Sequence, residues 1–431
     1  MKIDNSPPRG TRDLLPDAVA VRDTMLAKIV EVYHQFGYQR IETPALEDLQ
    51  RLTGGQGGEN EKLIFQVLRR GLPSRIEAGT EVRELIDLGL RFDLTVPLTR
   101  FYGNNHSRLP IPFRSFQFGP VWRAERPQKG RYRQFYHCDI DIIGEASVLA
   151  EIELIEATTT ALAAVGLANT TVRLSDRRYL SALAESVGLP EANWQTFFIG
   201  LDKLDKIGWE GVRQELVDDR ELSATAIDQA LTRVRDLVGL PPGKVIDGMA
   251  DTVPTLAEHV LTDLATTTNA LTDIAATTDL TWEFDPTLVR GMGYYTGQIF
   301  EITHPDFPSS LAGGGRYDKL IGRSLGKDVP ACGFSIGFER IVDLLDRTHR
   351  RDAIAVLYDS DVPMARVLAV ARGLRTDAQQ VAVIGRGGKL GAQLARLESW
   401  GFTALVHLRV DDDSDGHPPI RTLGGPNPDL M

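Results

Sequence analysis

Apolar residues recur along the chain at two spacings, and the places where one gives way to the other mark its elements. Met25, Leu26, Ile29, Val30, Tyr33 and Phe36 follow the 3.6-residue period of one helical face. A helix is therefore predicted from Asp17, which can cap it, to Phe36, with Gly37 as its stop. Tyr38 to Leu49 reads as strand and turn, with regular pairing ended by Pro44, and Leu90 to Arg100 as a second strand and turn. Phe116, Phe118 and Val121 then take up strand spacing, which breaks at Arg126 to Gly130 and resumes with Cys138 and Ile140 alternating with Asp139 and Asp141. That is a long β-hairpin, apolar on one face of its return strand and acidic on the other.

Ala146 to Val165, closed by Gly166, reads as a packed helix, and Thr171 to Ser175 as a strand. From residue 194 to 278 the chain turns helical and acidic, and Leu256, Val260, Leu264 and Leu271 fall at helical spacing, as core positions do. Tyr294 and Tyr295 are expected on opposite faces of a strand. Ala331 to Leu344 is an apolar strand turning into an amphipathic helix, with Arg340 near the junction. Beyond residue 352, strands Ala353 to Leu357, Gln380 to Ile384 and Ala404 to Leu408 alternate with helices Val362 to Leu374 and Leu390 to Trp400. This is the pattern of a separate small α/β domain with parallel pairing.

Composition narrows the class. With 431 residues, two or three domains are expected; 42% hydrophobic and 25% charged residues suit an ordinary globular protein. The start lacks an apolar h-region and no run of about 18 uncharged apolar residues occurs, so a cytoplasmic protein that neither is secreted nor spans a membrane is expected. Cys138 and Cys332, far apart in sequence, argue against a disulfide framework. The histidines show no zinc-site spacing, and no structural metal is predicted.

Charge changes the picture at one place. The formal net charge is -11, yet Arg123, Arg126, Lys129, Arg131 and Arg133 crowd the hairpin turn. A basic run is ordinarily a solvated loop. Here Glu125 sits among the arginines and two aspartates follow on the return strand, and sites of two signs suit a ligand of two signs. An arginine fork holds phosphate oxygens and a carboxylate pairs with an ammonium or imidazole N–H, which fits a nucleotide beside an amino acid. Gly313, Gly314 and Gly315 before Arg316 allow near approach of such a ligand, whereas Gly385 to Lys389 lacks the spacing of a phosphate loop.

The string PFRSFQFGPVWRAERPQKGRYRQFYHCDIDIIG from Pro112 resembles motif 2 of class II aminoacyl-tRNA synthetases. Leu288 to Ile302 (LVRGMGYYTGQIFEI) and Leu311 to Leu320 (LAGGGRYDKL) are similar to two histidine-specific signatures of the histidyl-tRNA synthetase family, Ala331 to Leu344 to motif 3, and Tyr38 to Leu49 to motif 1. The resemblance implies an α+β fold: a class II antiparallel sheet flanked by helices, with a helical insertion and a small C-terminal α/β domain. It implies a catalytic domain over 1–193 and 279–346, an insertion over 194–278 that would contact the tRNA arm, and an anticodon-binding-like domain over 352–431, shortened at its end. A homodimer is carried over with motif 1.

It also implies site residues. Arg123, Arg290 and Arg340 would be catalytic, converging on ATP, with Glu125 and Arg131 as further ATP-binding groups and Mg²⁺ arriving with the nucleotide. Asp93 and Thr95 would take the α-amino group of histidine, although Asp93 read alone is a helix cap. Asp141 and Tyr295 would match the imidazole, with Tyr294 beside them and Tyr317 closing the wall. Gln128, Lys129 and Arg133 would meet the acceptor end of tRNA(His). The chain departs from the family pattern at His137, where a glutamine helps seat the α-amino group, and at Gly293, where many members carry aspartate. Three functions fit: a histidine–tRNA ligase, a histidine-binding regulatory subunit of ATP phosphoribosyltransferase, and an enzyme activating an amino acid for a non-tRNA acceptor.

Overall fold

The structure is a computed structural model describing residues 3–54, 60–72, 76–77, 79–127, 131–290, 293–345, 353–375, 380–412 and 419–423. They form two compact units, residues 1–13 with 24–346 and residues 14–23 with 347–431. Among the described residues no helix is long and apolar enough to cross a membrane.

The first unit is built on an eight-stranded sheet in the order Gln39–Arg40, Phe113–Trp122, Gln134–Ile143, Ala331–Gly337, Phe307–Arg316, Gln298–His304, Thr171–Asp176 and Thr281–Phe284. Its inner pairings are antiparallel, and only the two edge pairings are parallel. Strand periodicity gives the sheet two unlike faces. One rung reads Phe116, Ile140, Phe334, Gly314, Phe300, Leu174 across six strands. Its large side chains are all buried, and Phe300 and Phe334 meet edge to face at 4.7 Å. The adjacent rung, on the opposite face, reads Gln117, Asp139, Ser335, Gly313, Glu301, Arg173, Glu283.

Helices cover the apolar face. Tyr33, near the end of the helix Pro16–Gln35, lies edge-on to Phe116 at 5.3 Å. The helix Leu149–Ala164 packs its buried Leu154, Ile155, Ala161 and Leu162 behind the central strands. The predicted hairpin is present, and the apolar strand at 331 turns into the helix Phe338–Leu345 directly after Gly337. A small antiparallel sheet of Leu46–Asp48, Ile86–Leu90 and Gln66–Leu68 lies outside the main one. Between residues 191 and 275 the chain is helical, and Leu256, Val260, Leu264 and Leu271 are buried.

The second unit carries parallel strands Gln380–Gly385, Ala353–Tyr358 and Ala404–Leu408, joined by the helices Met364–Arg375 and Leu390–Ser399. Ile354, Val356, Val367 and Val406 make its core. An antiparallel edge strand, Arg421–Thr422, extends this sheet.

Candidate active site

The polar rung floors a cavity of about 510 Å³ in the first unit. Three distant segments bring arginines to it: Arg123 from the end of the hairpin's first strand, Arg290 from the loop before Gln298–His304, and Arg340 from the first turn of the helix after Ala331–Gly337. Each is held by backbone or carboxylate. Arg123 Nε donates to Phe92 O at 3.1 Å, its guanidinium 5.1 Å from the Phe135 ring centroid; Arg340 donates to Ser310 O. Arg290 donates to Glu301 Oε2 at 3.1 Å. Burial, and then the charges of Arg290, Arg131 and Arg123, lower the pKa of Arg340. Cations this crowded form a ready anion site.

Asp93 and Asp141 are among the buried carboxylates that line the same cavity. Asp93 Oδ1 accepts the Val96 amide at 3.0 Å, at the start of the helix Thr95–Asn105. Capping and cavity lining are thus both properties of this residue. Asp141 Oδ1 accepts the Tyr317 hydroxyl at 2.6 Å. Among the described residues neither Asp93 Oδ2 nor Asp141 Oδ2 has a hydrogen-bond partner. Burial pushes the Asp93 carboxyl up to about 6, against the Val96 amide, Arg123 and His137, and pushes Asp141 well above the carboxylate range. Two unsatisfied buried acceptors and three arginines lining one cavity fit the cationic and anionic ends of an amino acid beside a polyphosphate.

Thr95, Glu125, Arg131, His137, Tyr294, Tyr295 and Tyr317 also line the cavity. His137 Nδ1 lies 3.5 Å from Asp139 Oδ2 and 3.3 Å from Ser335 Oγ, which donates to Asp139 Oδ1 at 2.5 Å. Arg131, more than half exposed, pairs loosely with Glu125 at 3.9 Å. Arg133 is absent from the lining: its Nε donates to Glu125 O and its main-chain N–H to Gly10 O, so it ties the N-terminal segment to the hairpin. Gln128 and Lys129, predicted to meet tRNA, and Gly291 lie outside the described residues.

One expectation is corrected. Tyr294 and Tyr295 do not split between strand faces: they precede the strand in an irregular turn, their ring centroids 4.8 Å apart, and both line the cavity. Alternation needs extended backbone, and here Arg290 adopts φ +59 and residues 293 and 294 turn. Gly313, the first of the triple glycine, lines the cavity, and the missing side chains there also leave room for the protein's own groups. A methyl group on Gly313 would meet the guanidinium of Arg290, and one on Gly314 the Gly333 carbonyl of the next strand.

Sequence reasoning missed Glu301 and Asp202 as lining residues and placed Asp139 on the acidic face without a role. Asp139 could have been found, because it shares strand parity with Asp141. Glu301 leaves no local signal, since its partners are far along the chain or across the sheet.

The model of the family described as histidyl-tRNA synthetase matches residues 10–341. The histidine–tRNA ligase of Leifsonia xyli subsp. xyli is 47% identical over 421 residues, covering 94% of this chain and 96% of its own. Among solved structures, the histidyl-tRNA synthetase from Nostoc sp. PCC 7120 superposes with TM-score 0.77 at 25% identity, covering 94% of this chain and 92% of its own. An ATP phosphoribosyltransferase regulatory subunit/histidyl-tRNA synthetase from Bacillus halodurans shares the fold, with TM-score 0.77 at 22% identity over 94% of this chain and 99% of its own. An antiparallel sheet with arginines and carboxylates gathered on its polar face, and a relative nearly half identical along almost the whole length, lead to one assignment: the chain belongs to the histidyl-tRNA synthetase family.

Proposed function

We propose that the protein is a histidine–tRNA ligase, which condenses histidine with ATP to histidyl-adenylate and passes the histidyl group to the 3′ end of tRNA(His). The observation that carries this reading is that Asp93 and Asp141, each with a buried oxygen lacking a partner among the described residues, line the same cavity as three arginines. A carboxylate oxygen of histidine attacks the α-phosphorus of ATP; an O–P bond forms and the bond to pyrophosphate breaks. Both reactants are anions, so the protein must hold them together and stabilise charge gathering on the phosphoryl oxygens. Arg123 would take the α-phosphate, Arg340 the nucleotide from the opposite side, and Arg290 would bridge α-phosphate and substrate carboxylate. Glu125 and Arg131 flank the nucleotide side, and Mg²⁺, bound as part of the substrate, would neutralise the β- and γ-phosphates.

Asp93 and Thr95 would take the ammonium, and His137 lines the same cavity. Asp141, oriented by Tyr317, would accept an imidazole N–H, and Tyr294 and Tyr295 fill the remaining wall. An aliphatic amino acid would leave Asp141 Oδ2 unpaired in a dry pocket, which works against its binding. In the second step the terminal ribose hydroxyl of the tRNA attacks the adenylate carbonyl and releases AMP. The likeness of Tyr38 to Leu49 to motif 1 supports a homodimer, measurable by light scattering.

ATP–pyrophosphate exchange across the twenty amino acids tests activation, and charging of a histidine tRNA transcript then tests transfer. Exchange with histidine alone, followed by charging, is expected; no histidine-dependent exchange would refute the reading. Arg→Lys at Arg123, Arg290 or Arg340 should leave exchange about 100-fold or more below wild type, because an ammonium cannot reproduce the planar fork.

A further inference from the structure

Arg290 sits on a turn with φ +59, where no regular element fixes its side chain, yet its guanidinium lies in a defined place over Gly313. Gly313 is the empty position in the polar rung, between Ser335 and Glu301. The neighbour on the Glu301 side accounts for the placement. Glu301 uses its two oxygens for two arginines: Oε2 accepts from Arg290 at 3.1 Å, and Oε1 accepts from Arg173 at 2.8 Å.

Arg173 is the register partner of Glu301 on the adjoining strand and also pairs with Asp285, with Asp205 and Glu283 as more distant, exposed partners at 3.6 and 3.8 Å. Glu301 and Asp285 are buried, so this is a fixed cluster on the sheet. Neither Arg173 nor Asp285 lines the cavity. With one edge of the planar Arg290 group held by Glu301, its remaining donors can serve a ligand.

We propose that Glu301, locked by Arg173, is the positioning residue for Arg290, so that the reactivity of the cavity depends on an ion pair on the strand beyond its wall. Neither residue touches the reacting atoms; both act on where one guanidinium stands. Misplacement by about 1 Å suffices to lower a rate by about 100-fold. The proposal rests on the bridging role given to Arg290 above.

The test uses the full chain and four proteins: wild type, Glu301→Gln, Arg173→Lys and the double variant. kcat and KM in histidine-dependent ATP–pyrophosphate exchange are measured beside the melting temperature. Glu301→Gln should lower kcat by about 10- to 100-fold with KM for ATP within about threefold, and Arg173→Lys, which keeps its charge but loses the fork, by about 5- to 20-fold. Because Arg173 acts through Glu301, the double variant should be no slower than Glu301→Gln alone within about twofold. Losses that multiply in the double variant, or full kcat in Arg173→Lys, overturn the proposal. A purely structural cluster would lower the melting temperature and leave kcat per folded molecule intact. If Glu301→Gln does not fold, Glu301→Asp keeps the charge with a shorter reach and should show the same kcat loss; wild-type kcat there is equally fatal. Exchange absent from wild type would instead overturn the functional reading itself, which separates the two failures.

Discussion

The two oxygens of Asp93 differ. Oδ1 fixes the start of a helix, whereas Oδ2 has no hydrogen-bond partner among the described residues. Its folded pKa of about 6 stands above the ordinary carboxylate value near 4. A carboxyl raised on folding favours the folded state fully below its unfolded value, and that contribution is lost as pH climbs through about 6. At pH 8 the empty protein therefore carries a buried charge at a disadvantage of up to roughly 3 kcal/mol. Asp93→Asn keeps an acceptor for the Val96 amide and removes the charge. It should melt above wild type at pH 8, lose that advantage towards pH 4, and show no histidine-dependent exchange. Calorimetry across this range decides it: a difference independent of pH would show that the charge is not the cause.

At the scale of elements, the hairpin and the strand-to-helix turn at Arg340 were legible because alternation and period survive in a single stretch of sequence. The turn carrying Arg290, Tyr294 and Tyr295 was not, because an irregular segment has no period to read. The link from Arg173 to Glu301 joins residues 128 apart and exists only in the register of two strands. The glycine strand Phe307–Arg316 offers a direct comparison. Gly313→Ala presses on the end of a long side chain, so the fold should persist while Arg290 moves and exchange falls about 100-fold. Gly314→Ala presses on the Gly333 carbonyl of a central strand, which cannot give way; here the melting temperature should fall. Equal melting temperatures for the two variants would contradict this reading of the strand.

The whole molecule is acidic, with a net charge of -11, yet Arg123, Arg131, Arg290 and Arg340 line one cavity. Bulk charge thus gives no measure of the local field at that cavity. Raising salt from about 50 to 300 mM should raise KM for tRNA about tenfold or more through lost phosphate contacts, and KM for histidine by under about twofold, since its partners are buried. Steady-state aminoacylation at the two salt concentrations measures both. The parallel strands of the second unit were readable from their apolar runs, whereas Arg421–Thr422, two residues long, is too short to show a pattern. The bare oxygens of Asp93 and Asp141 carry a last implication for the proposed function: histidine seated on them would complete the interior as well as react in it. Histidine alone, at a hundredfold excess over Kd, should stabilise the native state by about 2.7 kcal/mol, visible as slower inactivation on storage and better recovery from denaturant. Starved of histidine, the enzyme would be more perishable as well as idle.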